Sequence, residues 1–381
     1  MKSILYVTYQ ETPFTAGKAI IKTQVEQMLK ALDNKYKKTW LMIYNSKITI
    51  PNEQLLAYKD EMKSAGVEFK PVRCRTSNIY SGIFEIRRII KKYIADIKVD
   101  IIHCRGYPAA FAANLAKGKE KVIFDMRGVF PEEVLVNKSH ALKHIEYLLW
   151  RFVEAYNINR SQKIVVVTDY FKDYIKKKYG CDEKIKLIYN CVNTRALSFS
   201  ESARNEIRKE LGCENKCLVV FSGSIADKWQ SFDKNVQVYK KLKEKFKNTK
   251  LLVLSRNSVD LLSYGLDESE STVMYVDNDE IYKYLSAGDI GLLIRNETPV
   301  NAVAFPVKFA EYMACGLPVI INSSMKGICS IIDKKGIIFD DSNVCLEKIN
   351  DVKKEDCITF ARSYLDTGVI SECYSVLYSS M

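Results

Sequence analysis

Apolar residues come in short runs along the first half of the chain, and most runs are followed by a stretch in which they recur every three or four positions. Runs at 3–8, 39–44, 67–72, 100–104, 121–125, 163–168 and 186–190 predict strands, and the apolar spacing of Ile20, Ile21, Val25, Met28 and Leu29 predicts a helix between the first two. The pattern then starts afresh, with strands expected at 217–222, 250–255, 272–276, 289–294 and 318–322 and helices around 234–246, 280–287 and 305–314. Alternation of this kind calls for parallel sheets with helices on both faces. The chain of 381 residues exceeds the usual size of one core, so two doubly wound α/β domains in series are expected. The divisions expected are 1–190, 191–360 and a final helical stretch, 361–381, packing back on the first domain. A ligand is then expected at the carboxyl ends of the strands, in a cleft between the domains.

Within that plan the stretch VAFPVKFAEYMACGLP, 303–318, reads as a helix start built for an anion. Pro306 suits the first helical position, and Cys315-Gly316 with Pro318 supplies a stop. The amides of Val307, Lys308 and Phe309 would be free at the positive end of the helix, with the Lys308 charge added. Glu311 falls one turn along the face of Lys308, placed to accept hydrogen bonds from a ribose. The other strand ends collect the remaining candidates. These are the 10–17 loop with Gly17, Arg105-Gly106-Tyr107, Asp125-Met126-Arg127-Gly128, Ser222-Gly223-Ser224, Arg256-Asn257, and Arg295 with the loop through Asn301.

Composition changes this picture little, but charge does. Residues 1–190 carry 34 Lys/Arg against 20 Asp/Glu, and residues 191–381 carry 24 against 26, so the net +12 belongs to the first half. A basic half suits nucleic acid, anionic lipid headgroups or a phosphorylated substrate, and a lysine-rich genome would produce it without any function. No zinc-finger spacing or RNA-binding aromatic signature accompanies it, which puts nucleic acid last. The amphipathic stretch 83–97, with Arg87, Arg88, Lys91 and Lys92, fits either a membrane surface or a solvated outer helix. No run approaches a membrane span and the Met1-Lys2-Ser3 start leads straight into a strand, so the expected location is cytoplasmic, with peripheral attachment to the inner membrane face. Eleven scattered cysteines and three histidines suggest neither a disulfide framework nor a zinc site. His103 reads as a core residue, and His140 with His144 lack a third ligand. Asp277 and Glu280 match a capping box more closely than a metal site. GxGxxG, GxxxxGK[ST] and HExxH are absent.

GSIADKWQ, DIGLLIR and NAVAFPVKFAEYMACGLPVI resemble the second domain of group 1 glycosyltransferases (glycosyltransferase family 4). IYNCVNT is similar to that family's interdomain connection, and ILYVTYQETPF, IIHCRGYPAA and VIFDMRGVFPEE are similar to first-domain segments of a subset of it. The resemblance implies the GT-B fold, two Rossmann-like domains facing across a cleft, and sugar transfer from a nucleotide sugar with retention of configuration and no bound metal. A UDP-sugar is the expected donor, a GDP-sugar the second choice, with no separate cofactor. The implied acceptor is a saccharide or lipid-linked saccharide. By the same resemblance Glu311 matches the second glutamate of the Glu-x7-Glu motif, which binds the donor ribose, while Val303 stands where the first should be. The diphosphate cations expected near Ser222-Gly223-Ser224 are altered, which leaves the charge to Lys308, Arg256 or Arg295. Asp125 replaces a histidine frequent in the family, and Cys191 a glycine. The residues expected to act in transfer are Asp125, Arg127 and Lys308. Those expected around the donor are Glu311, Val307, Pro306, Arg256, Arg295, Asn301, Ser224 and Gly17. An epimerase or phosphorylase of the same fold, or a non-catalytic sugar-nucleotide-binding protein, is the alternative.

Overall fold

The apolar runs become strands because a strand covered on both faces by helices must be apolar throughout. The structure is a computed structural model describing residues 1–14, 18–137, 141–246, 248–257, 260–335, 338–340 and 352–381. It divides into two compact units, Met1–Tyr189 with Thr367–Met381, and Asn190–Asp366. Each is a doubly wound parallel sheet of Rossmann type.

In the first unit the strands are β1 Lys2–Tyr9, β2 Tyr36–Tyr44, β3 Val67–Arg73, β4 Ile101–Arg105, β5 Lys121–Asp125, β6 Lys163–Val166 and β7 Ile185–Leu187. They lie parallel in the order β3-β2-β1-β4-β5-β6-β7, so the winding reverses between β1 and β4. Ile4, Leu5, Tyr6 and Val7 of the central strand are fully buried. In the second unit β8 Cys217–Ser222, β9 Thr249–Leu254, β10 Ser271–Met274, β11 Ile290–Leu293, β12 Val319–Ile321 and β13 Ile338–Asp340 run in the order β10-β9-β8-β11-β12-β13, reversing between β8 and β11. Such a reversal leaves a crevice at the carboxyl ends of the two central strands, the usual seat of a ligand in this architecture.

Several local expectations change. The basic helix starts four residues early, at Ile79, because the Asn78 side chain caps it by accepting from the amides of Tyr80 (2.9 Å) and Ser81 (3.3 Å). The final stretch is not one helix. Asp366 is extended, with ψ of 141°, and its carboxylate accepts from the hydroxyl (2.5 Å) and amide (3.3 Å) of Thr194. That anchor breaks the helix and releases Thr367–Ser379 to the first unit. The capping box at Asp277 does not form either. The helix Ile281–Ala287 has Glu280 at its cap without a side-chain bond, while Asp277 accepts from the Tyr275 hydroxyl at 2.9 Å. The described cysteines are free thiols, His140 and Gly17 lie outside the described residues, and no group of three metal-ligating side chains occurs among the described residues.

Candidate functional site

The helix expected to hold an anion spans Val307–Ala314. It begins one residue later than expected. Pro306 is its N-cap, at φ −64° and ψ 133°, and the Phe309 amide already donates to the Pro306 carbonyl at 3.1 Å, which leaves Val307 and Lys308 at the open end. The stop is as expected. Gly316 adopts φ +67°, and Leu317 N and Gly316 N close back on the carbonyls of Tyr312 (2.9 Å) and Met313 (3.1 Å). Phe309, Ala310, Tyr312, Met313 and Ala314 are buried, and Tyr312 accepts from the Ser222 amide at 2.8 Å, fixing the helix to the end of β8.

Lys308 and Glu311 are partly buried on this helix. Lys308 donates to Gln230 Oε1 at 3.3 Å, over the turn that follows β8. There Gly223 lies against both side chains: a Cβ on it would lie 2.1 Å from Gln230 Oε1 and 2.7 Å from Lys308 Nζ, so both flexible ends would have to shift. Gly223→Ala should therefore displace both groups and weaken nucleotide binding about tenfold or more while the protein still melts cooperatively, an outcome calorimetric titration with UDP would show. Unchanged affinity would mean that neither group faces the ligand.

Arg295 follows β11, the neighbour of β8 across the winding reversal. It is only 3% exposed, its guanidinium carbon sits 4.4 Å from the Trp229 ring centroid, and its buried Nη1 has no hydrogen-bond partner among the described residues. Its main chain is held by Asn322, which accepts from the amide (3.2 Å) and donates to the carbonyl (2.8 Å), and by Ser324 (2.9 Å). Burial lowers the Arg295 pKa to about 10. Burial, and then the charge of Arg295, bring Lys308 down to about 8 against the pull of Glu311 and Asp227. Burial raises the Glu311 carboxyl, and Lys308 partly opposes it. Two desolvated cations repelling each other at a helix N-terminus make a place where a polyanion would be bound strongly.

The other expected donor residues fall around this centre unequally. Ser224 donates to Asn257 at 3.2 Å, and Arg256 is exposed with its guanidinium 5.4 Å from the Tyr275 ring centroid, so both belong to the rim formed by the ends of β8 and β9. Asn301 is buried and spends its amide on the carbonyls of Asn296 (2.9 Å) and Trp229 (3.5 Å), which makes it a support of the Trp229 loop. Val303 ends the short helix Pro299–Val303 and is buried. Trp229, Gln230 and Asp227 were missed by sequence reasoning. The signal available was a run of polar and aromatic residues directly after a strand-end glycine.

In the first unit the strand ends hold a buried polar network. Asp125 has no exposed surface, and its Oδ2 accepts from Arg127 (2.6 Å) and lies near His103 Nε2 (3.3 Å) and the Tyr6 hydroxyl (3.4 Å). His103 Nδ1 meets the Tyr378 hydroxyl at 2.6 Å, and Arg127 donates to Tyr374 at 2.8 Å. Burial opposes ionisation of Asp125, yet Arg127, His103 and Arg105 outweigh it and hold the carboxyl well below its usual range. Burial lowers the His103 pKa, against the pull of Asp125. Asp125, expected among the residues that act in transfer, thus lies inside the network and not on its surface. The enclosed carboxylate pairs with Arg127, which in turn bonds Tyr374 of the helix Thr367–Ser379 and keeps 15% of its side chain exposed. Arg105 is buried, paired with Glu11 (2.8 Å) and Gln24 (2.9 Å).

Residues 23–196 match the family described as Glycosyltransferase Family 4, and residues 216–354 match Glycosyl transferases group 1. The chain belongs to the group 1 glycosyltransferases. Over 216 residues this group 1 chain is 23% identical to TuaH of Bacillus subtilis (strain 168), named as a candidate teichuronic acid biosynthesis glycosyltransferase. The match takes in 53% of this chain and spans about half (50%) the length of that relative. Among solved structures, HepE of Anabaena in complex with UDP aligns over 100% of both chains with a TM-score of 0.71 and 14% identity. Sucrose-phosphate synthase from Thermosynechococcus elongatus aligns over 100% of this chain and 99% of its own, with a TM-score of 0.72 and 13% identity. At such identities the likeness is one of fold.

Proposed function

We propose that this chain transfers a sugar from a UDP-sugar to a hydroxyl of a growing cell-surface polysaccharide or lipid-linked oligosaccharide, with retention of configuration and without a resident metal. The observation that carries the reading is the pair Lys308 and Arg295, two desolvated cations beside a helix start, one of them with a buried donor that no described residue accepts. Breaking a glycosyl phosphate bond builds negative charge on the diphosphate. Fixed cations and amides aimed at that charge lower the barrier without reorganising. The leaving phosphate can take the acceptor proton on the same face, so Glu311 is assigned to the ribose and not to attack on the sugar. The HepE complexes with UDP and with UDP-glucose favour uridine as the base, and the name of TuaH favours a cell-surface polymer.

A thermal-shift panel of UDP, GDP and dTDP tests the donor half. UDP should raise the melting temperature by the amount expected of a ligand binding the folded state, about 2.7 kcal/mol at a hundred times its Kd. The pH dependence follows from Lys308. In the free enzyme its pKa is about 8, so the cation that the diphosphate needs is lost as pH rises through that value. kcat/KM for the donor should fall above pH about 8, since it reports the free enzyme's groups. A profile flat through that region, or equal shifts with all three nucleotides, would count against the assignment.

A further inference from the structure

The helix Lys143–Arg160 buries Trp150, Val153, Glu154, Asn157 and Ile158 against the first unit. Its opposite face should be polar. It carries Ile145, Leu148, Leu149 and Phe152 instead, at spacings of three and four, with Leu148 65% and Phe152 63% exposed. Leu142, just ahead of the helix, and Val136, on the adjoining helix Phe130–Asn137, are exposed as well. A row of large apolar side chains pointing directly away from the core is costly in water and marks a surface that is covered in use.

The surroundings of this row are cationic. At its carboxyl end Lys117 donates to the Arg160 carbonyl at 2.5 Å and Lys184 to the Asn159 carbonyl at 3.0 Å, so three basic side chains gather at one end of the row. At the other end lies Lys143. Beside it runs the helix Ile79–Asp96, joined through Tyr80, which donates to Glu146 at 2.8 Å and packs on Trp150 at 6.0 Å. That helix exposes Phe84 together with Arg88 and Lys91. The first half of the sequence carries 34 Lys/Arg against 20 Asp/Glu. An anionic bilayer surface fits both features, the apolar row entering the headgroup boundary while the cations meet lipid phosphates. Among the described residues no helix is long and apolar enough to cross a membrane, so the attachment is interfacial.

We propose that the outward face of Lys143–Arg160 is a membrane-docking face that inserts its apolar row into the surface of an anionic bilayer. It rests on the glycosyltransferase reading for its purpose, which is to bring a lipid-linked acceptor within reach, and on this helix alone for its physics.

The test is co-sedimentation of the full chain with phosphatidylcholine vesicles, with and without phosphatidylglycerol, for the wild type and for Leu148→Glu/Phe152→Glu. Both side chains are exposed, so the variant should melt as the wild type does and keep its UDP shift. Wild type should bind the phosphatidylglycerol vesicles, less so at high salt, and the variant should bind at least about tenfold more weakly. Equal binding by both proteins, or no wild-type binding at low salt, overturns the proposal. So does a wild-type dimer by light scattering that the variant abolishes without any change in vesicle binding. A missing UDP shift with intact vesicle binding would sink the donor reading and leave the docking face standing.

Discussion

Lys308→Met should lower kcat for sugar transfer by about 10²–10³-fold, the range found when one preorganised stabiliser of developing charge is removed. The side chain has few rivals for that role. It contacts Gln230 beside Gly223, repels Arg295, and sits in the first turn of a helix that Tyr312 ties to the end of β8. Methionine keeps the stem and removes the charge, so the loss reports electrostatics and not packing. Stability should move the other way. A lysine whose folded pKa is pulled below its unfolded value destabilises the fold at pH 7, because the unfolded chain holds the proton more tightly. The variant should therefore melt no lower than the wild type while its turnover collapses, a trade of stability for function. Steady-state kinetics beside a melting curve reads both. Unchanged kcat and KM would remove Lys308 from the mechanism, whereas a rise in KM alone would make it a ground-state binder.

The centre of this site was legible because its signals are local. Proline before and glycine after the helix 307–314 mark its ends, and the spacing of Lys308 and Glu311 follows from the helix itself. The sheets were legible for a similar reason, since strands covered on both sides are apolar runs, and β5 and β8 have the bounds the pattern predicts. What remained hidden depends on contacts between distant residues. Gln230 meets Lys308 across 78 positions, and Trp229 stacks on Arg295 from a turn whose shape no periodicity announces. The enclosure of Asp125 was hidden for the same reason. Its place at a strand end and its pair with Arg127 are local, but the network around it is completed by Tyr374, bonded to Arg127 across 247 positions. His103 reads as a core residue and is one, yet its two ring nitrogens join Tyr378 to Asp125 and make it part of the same brace.

That brace gives the second large effect. Asp125→Asn should cost roughly 3–5 kcal/mol, because it leaves the Arg127 guanidinium beside a neutral partner in a buried network. Against a total of about 5–15 kcal/mol such a loss is severe. The pH dependence identifies the cause. The folded carboxyl is held below its unfolded value of about 3.9, so its contribution is complete above that pH and fades as pH falls through the lower folded value. Wild type and variant should differ most near neutrality and converge in acid. Hydrogen exchange should show the loss concentrated in Thr367–Ser379, whose Tyr374 and Tyr378 hydroxyls join the network. Tyr374→Phe, which removes a single hydrogen bond, should show the same exchange pattern at about 1 kcal/mol. If Asp125→Asn instead melts like the wild type but transfers no sugar, the carboxylate acts on the chemistry directly. The buried ion pair would then be the means by which Arg127 is aimed, and Asp125 would have the part in transfer first expected of it.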